Sequence, residues 1–476
     1  MDVAHSEPQS QPDRSWLRGL LLGIQFVGLL LLYLWTGAPT ITTAFGSADS
    51  GELATAVALG GVPHPPGYPT YLLLGRVALL LPWGEVAARL VGLNALAVAL
   101  AASVLAATIR DLPIGTDAQR TGAGFVAALL FGLDRRVWEQ ALVVEVYALA
   151  LLFAALLLWL AARWWRWHNQ RTAAAAGLVL GLGLGIQVPI MAWVVGAGLA
   201  WLVVRRLPSV RAVLLFGGAL LLGLSVYALL LWRGAAVPLA SWGDWQTPRG
   251  ALGHITAREY GYLVDAVPWR IRLGRISYAV RDLVAGVGWP GMMLAVGGLI
   301  GAGTVLRRWR WLSGGIAAAT VAWAISYGGA DGSVYLLPLH LLAGLWSGVG
   351  AVVGLQWLAL HQPKLVRWTA LVPVLLVVFG VRNAPRISLH DTTTTRDQAQ
   401  IQLETAPANA ILISSDDATT FPLWYVGQVL GVRPDVTVVD ARLWANAWYR
   451  RRLPCAAGAD VAALRECGRP VVSVRE

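Results

Sequence analysis

The sequence predicts an α-helical polytopic membrane protein of about eleven transmembrane helices, followed by a small C-terminal α/β outer domain. Three observations carry that expectation. Apolar runs recur from Trp16 to Val381, many of them long enough to span a bilayer. Only 13% of residues are charged and 57% are hydrophobic, whereas soluble domains have about a quarter charged. After residue 382 the pattern changes: ANAILIS and VTVVD read as buried strands on either side of a helical FPLWYVGQVLG.

The first fifteen residues are polar and read as a disordered cytoplasmic N-terminus. A retained first helix follows, roughly Trp16 to Trp35, with Arg14 and Arg18 keeping its start in the cytoplasm. The outer loop, 37–85, carries two short interfacial helices, about 49–59 and 69–81. Spans are expected near 86–109, 121–133 and 141–162, then two short ones within 173–204, and one at 212–232. A long outer segment, 233–281, precedes spans near 284–306, 312–328, 335–358 and 369–381. The transmembrane domain thus runs over 16–382, and 383–476 form a periplasmic or extracellular α/β domain, with strand–helix–strand order and parallel pairing. Cys455 and Cys467 lie in that last region, as a disulfide or as two thiols.

The net charge of +11 does not gather on one basic face. Many arginines occupy short links, where they set topology and imply no nucleic-acid partner. No zinc-spaced Cys/His cluster, Walker motif, G-x-S-x-G or dinucleotide fingerprint occurs.

The polar chemistry concentrates in GSADSGELATAVALGGVPHPPGYPTYLLLGR, residues 46–76. Asp49 and Glu52 stand three apart, which on a helix puts both carboxylates on one side. They read equally as a capping-box variant or as a base beside its positioning acid. The proline-stiffened VPHPPGYP presents His64 and Tyr68. Glu145 lies at the outer end of a span, where an ionisable group faces a cavity or pairs, here with Arg135 or Arg136. In the outer segment, His254, Arg258 and Tyr260 offer donors for a phosphate, or form a solvated helix. Tyr335 and Asp331 belong to a short outer turn. The Ser414–Asp417 run reads as a helix cap or as a ligand site at a strand end. The sequence names no cofactor and leaves metal dependence open, since an acidic pair is able to hold Mg²⁺ or Mn²⁺.

The segments ADSGELATAVALGGVPHPPGYPTYLLLG, WEQALVVEVYAL, WGDWQTPRGALGHITAREYG, DGSVYLLP and DDATTFPLWYVGQVLGVRPDVTVVD resemble a bacterial family of polytopic proteins. That family was long filed as a domain of unknown function. It includes the metazoan endoplasmic-reticulum O-mannosyltransferase of this kind and lies within the GT-C superfamily of glycosyltransferases. The chain departs from the family pattern at GIQVPI, where a polar, often His-containing, turn is expected.

The resemblance implies a GT-C fold in a bacterial inner membrane and a polyprenyl-phosphate-linked sugar donor, with a hexose such as mannose favoured. It makes Asp49 the catalytic base and Glu52 its neighbour or positioner. Arg258 and His254 become first candidates for the phosphate, with Arg135 and Arg136 second. Substrate contacts fall to His64, Tyr68, Glu145 and Tyr335. The acceptor hydroxyl belongs to a protein, a lipid or a glycan, and transfer inverts the sugar. The alternative is a transporter or lipid flippase, but no internal repeat accompanies the fold.

Overall fold

The computed structural model describes residues 15–191, 209–234, 241–264, 267–329, 331–453 and 461–474. The expected N-terminal tail, the second half of 173–204 and Cys455 lie outside the described residues.

Helix α1 (Ser15–Thr36) enters the membrane, and the loop after it folds into α2 (Ser50–Leu59) and α3 (Pro69–Ala78). The bundle continues with α4 (Val86–Asp111), α5 (Asp117–Gly132), α6 (Arg135–Ala141), α7 (Tyr147–Trp167) and α8 (Gln170–Leu184). Helix α4 packs against α1, α5 and α7 at the centre. Its alanines at 95, 97, 99, 101 and 102 are buried and let the neighbouring backbones come close. Among the described residues, seven helices are long and apolar enough to cross a membrane. The other expected spans fall on α5 and α8, with 16 and 15 residues, on helix Arg307–Ser326, and on residues outside the description.

Two boundaries differ from the sequence reading. The span expected at 141–162 begins as a helix only at Tyr147. Buried Asn94 donates its amide hydrogens to the Val143 and Glu145 carbonyls, both at 2.7 Å, which satisfies this backbone without a helix. The outer segment ends early, because helix Trp269–Gly301 already includes residues assigned to it. That helix breaks at Gly288 (φ +75°), two residues before Pro290, and continues as the span.

At the far end, β1 (Ile411–Ser414) lies between β2 (Thr437–Asp440) and β3 (Val471–Ser473), parallel to both. Leu412 registers with Val438 and Val472. Helix Asp417–Trp424 leaves β1 and packs on α2. Gly51 makes this possible: a β-carbon there would fall 2.4 Å from the Phe421 carbonyl oxygen. Glu85 adds a polar clasp, accepting from Thr40 at 2.6 Å, from Tyr425 at 3.2 Å and from Arg396 at 2.9 Å. Arg452 donates to the Ser241 and Gly243 carbonyls, both at 2.7 Å. The α/β unit is therefore seated on the loop carrying the acidic pair.

Candidate active site

Serines anchor the loop before α2. Ser50 donates to the Thr42 carbonyl at 2.6 Å, and Ser47 donates to the same oxygen at 2.8 Å. Asp49 occupies the N-cap position, but its backbone is helical (φ −79°, ψ −2°) and its side chain accepts no capping bond. The capping-box reading is thus corrected. Glu52 does not reach back to the cap either, because it is engaged with His64.

Glu52 is fully buried and holds His64 twice. One carboxylate oxygen accepts the His64 backbone N–H at 2.8 Å, and the other accepts from Nδ1 at 2.5 Å. The opposite ring nitrogen, Nε2, lies 2.8 Å from the Tyr68 hydroxyl and 3.8 Å from Asp49 Oδ2. Burial alone would lower the imidazole's pKa, yet Glu52 and Asp49 lift it to about 10. His64 is therefore an imidazolium at neutral pH, and Nε2–H donates to Tyr68. Burial raises the Asp49 pKa, His64 offsets part of that and Glu52 adds to it, giving about 7. The Asp49 side chain remains 35% exposed, so water and an acceptor can reach it.

The turn that presents His64 is braced from the outer segment. His254 donates from Nε2 to the Pro63 carbonyl at 3.0 Å and packs against Trp245, with ring centroids 4.8 Å apart. Trp242 N–H donates to the Val62 carbonyl at 2.9 Å, and Val62 N–H to the Ser241 hydroxyl at 3.1 Å. Burial, aided by the nearby His64 charge, lowers the His254 pKa to about 3. His254 is thus a neutral brace, which corrects its assignment as a phosphate-binding cation. Arg258 is exposed, with its guanidinium lying over Gly253, 3.1 Å from where a β-carbon would stand.

Glu145 closes another side. Its side chain is 4% exposed, and its one described hydrogen bond accepts the Val146 N–H at 3.3 Å. Burial, with the Asp49 charge adding to it, pushes its pKa well above the usual carboxylate range. The pairing with Arg135 or Arg136 does not form. Arg135 bonds Glu139 at 2.8 Å, while Arg136 bonds Asp282 at 2.6 Å and Glu139 at 3.3 Å. These two arginines serve a separate cluster with Asp134 and His340, where Nδ1 and a carboxylate oxygen are 2.7 Å apart. Both guanidiniums are thus engaged by acids of that cluster, Arg135 with its side chain 65% exposed.

Tyr335 is buried in an aromatic wall, with centroids 6.2 Å from Tyr147, 6.0 Å from Trp323 and 5.1 Å from Tyr327. Tyr147 donates to Asp331 at 2.9 Å. In the α/β unit, Asp416 caps its helix by accepting the Thr419 N–H at 2.8 Å, as the capping reading expects. Asp417 pairs with Arg442 at 2.6 Å, and its field reaches Asp49, Glu52 and His64. The fold thus gathers Asp49, Glu52, His64, Tyr68, Glu145 and Tyr335 around one region, together with Tyr260, Asp331 and Asp417 of the outer segments already named, and adds Tyr147. Tyr260 faces His64 at 6.3 Å between ring centroids. Asp331 and Asp417 left one signal in the sequence: acids outside the apolar runs of a chain with few acids.

Asp49, Glu52 and His64 can each offer a ligand atom, all within 4.8 Å of one another. His64 Nδ1 and a Glu52 oxygen are engaged with each other at 2.5 Å, so a divalent cation here would have to replace that contact.

Comparison with known proteins bears on the fold and the family. The chain superposes on apo ArnT from Cupriavidus metallidurans over 91% of its own length and 92% of that chain, with TM-score 0.56 and 14% identity. Arabinofuranosyltransferase AftD from Mycobacteria matches over 91% of this chain and 32% of its own, with TM-score 0.51 and 15% identity. The protein is an integral membrane protein of the GT-C fold. A family profile for the protein O-mannosyl-transferase TMEM260 N-terminal domain matches residues 49–211, and one for TMEM260-associated domain 2 matches 395–457. The mouse protein O-mannosyl-transferase TMEM260 is 28% identical over 474 residues, 91% of this chain and 64% of that protein. The Dictyostelium discoideum counterpart is 25% identical over 326 residues, 61% of this chain and 37% of that protein. The chain is thus a relative of the TMEM260 O-mannosyl-transferases, spanning less than two thirds of the length of those curated relatives.

Proposed function

We propose that the chain moves a hexose such as mannose from a polyprenyl-phosphate donor to an acceptor hydroxyl, with inversion, on the outer face of a bacterial inner membrane. The names of its relatives favour a protein acceptor. The observation carrying this reading is Asp49: a carboxylate freed from capping, partly open, with a pKa of about 7, beside a buried Glu52–His64 ion pair.

In this reading Asp49 takes the proton from the acceptor hydroxyl as its oxygen attacks the anomeric carbon. The bond from that carbon to the phosphate oxygen breaks, and the electron pair leaves with the phosphate. The His64 imidazolium supplies positive charge beside the reacting groups, fixed in place by Glu52 and Tyr68. Glu145 hydrogen-bonds a sugar hydroxyl, and the aromatic wall of Tyr147, Tyr327 and Tyr335 packs against the sugar. Asp331 and Asp417 orient these groups from behind. Arg258, exposed nearby, is open to approach the donor phosphate.

The test is incubation of the purified protein with radiolabelled polyprenyl-phosphate mannose, glucose and galactose and a mixture of membrane and secreted proteins. Label passing to protein, and not to lipid, supports the reading. Failure of every label to move sinks it.

A further inference from the structure

Arg76 on α3 and Arg233 on helix Ala228–Gly234 meet at the C-terminal end of α2. Gly60 caps α2 in the left-handed region (φ +78°), and a β-carbon there would lie 3.1 Å from Arg76 Nη2 and 3.7 Å from Arg233 Nη1. Two guanidiniums therefore converge on one backbone position that any larger residue would fill. Neither side chain forms an ion pair or hydrogen bond among the described residues. Arg233 Nη1 is buried without any hydrogen-bond partner. Guanidiniums cannot shed their charge, so such a pair calls for an anion between them.

The surroundings say what sort of anion. Val77 and Leu80 beside Arg76 are 58% and 81% exposed, and Leu231 and Trp232 beside Arg233 are 55% and 75% exposed. In a membrane protein such apolar surface faces lipid chains, and a tryptophan there sits at headgroup level. Arginine forks match phosphate oxygens in a bidentate way. The site is distinct from the transfer site. Gly60 ends the helix that Asp49 begins, so at about 1.5 Å per residue the two lie about 16 Å apart. A phosphate there is too far away to leave from a sugar attacked beside Asp49.

We propose that Arg76 and Arg233 clasp the phosphate of an anionic phospholipid headgroup at the lipid-facing edge of α2 and α3. Its acyl chains run along Val77, Leu80, Leu231 and Trp232. The site orders the end of the helix that carries Asp49 and Glu52, and it holds independently of the transfer reading.

The test uses the full chain, delipidated in mild detergent, with native mass spectrometry counting retained lipids. Phosphatidylglycerol and phosphatidylcholine with the same acyl chains are titrated against wild type, Arg76→Gln, Arg233→Gln and Arg233→Lys, with thermal unfolding followed in parallel. Arg171→Gln, at the distant start of α8, is the control. Wild type and Arg171→Gln should prefer phosphatidylglycerol, and each Gln variant should bind it about fivefold more weakly. Arg233→Lys keeps the charge but loses the fork, so it should fall between them and report even if a Gln variant fails to fold. Equal retention in wild type and all three variants, or equal retention of the two lipids by wild type, overturns the proposal. So does inorganic phosphate at matched concentration stabilising wild type as much as phosphatidylglycerol does, since it would mark a free-phosphate site.

Discussion

Glu52 grips His64 at two points, accepting its backbone N–H at 2.8 Å and its imidazole Nδ1 at 2.5 Å across 12 residues of chain. The double contact locks both the position of the proline turn and the rotation of the ring. It also keeps the imidazole charged next to Asp49. Removing one partner of a buried pair leaves an uncompensated charge. Glu52→Gln should cost about 3–5 kcal/mol in thermal or denaturant unfolding in detergent and abolish transfer. An unaltered melting temperature would show that the pair does not hold the turn.

Asp49 makes no capping bond, so its carboxylate contributes little to α2. Asp49→Asn should leave the protein folded and membrane-inserted while transfer falls below detection. Near-normal turnover in a folded Asp49→Asn protein would remove Asp49 as the base.

The pKa of Asp49, about 7, sets the pH dependence of transfer. A base works unprotonated, so kcat/KM should rise with pH through a midpoint near 7 and level off above it. His64 is the neighbour that lowers this pKa. In His64→Gln the midpoint should therefore move to higher pH in whatever activity remains. A profile flat from about pH 5 to 9 in wild type would exclude a titrating base.

His64 binds its proton more tightly folded, at about 10, than at its ordinary value of 6.5. Its contribution to stability is complete below about pH 6.5 and fades as pH climbs through about 10. The melting-temperature gap between wild type and His64→Gln should be widest near pH 6 and shrink towards pH 10. A gap that widens with pH would reverse the assigned charge.

Gly51 lets the helix after β1 lie against α2, with only 2.4 Å between the Phe421 carbonyl oxygen and the place of a β-carbon. That oxygen belongs to the backbone, so it cannot swing away. Gly51→Ala should destabilise the protein by about 1–3 kcal/mol and reduce transfer by moving Asp417 away from Asp49. Wild-type stability and activity in that variant would show that the α/β unit is not seated through this contact.

The sequence alone determined most of the apolar spans, the two short helices of the first outer loop, and the parallel strand–helix–strand unit. Each of these depends on local patterning: run length, a period of two or 3.6, and glycine or proline at the ends. It also brought Asp49, Glu52, His64 and Tyr68 forward, because polar residues clustered within twenty positions stand out in an apolar chain. Only the tertiary structure decided what these residues do to one another. His254 meets Pro63 across 191 positions and Tyr147 meets Asp331 across 184. Arg135 and Arg136 turn to Glu139 and Asp282 and leave Glu145 unpaired. Charge state follows burial and neighbours, and no spacing along the chain encodes either. That is why the same histidine type is an imidazolium at 64 and a neutral brace at 254.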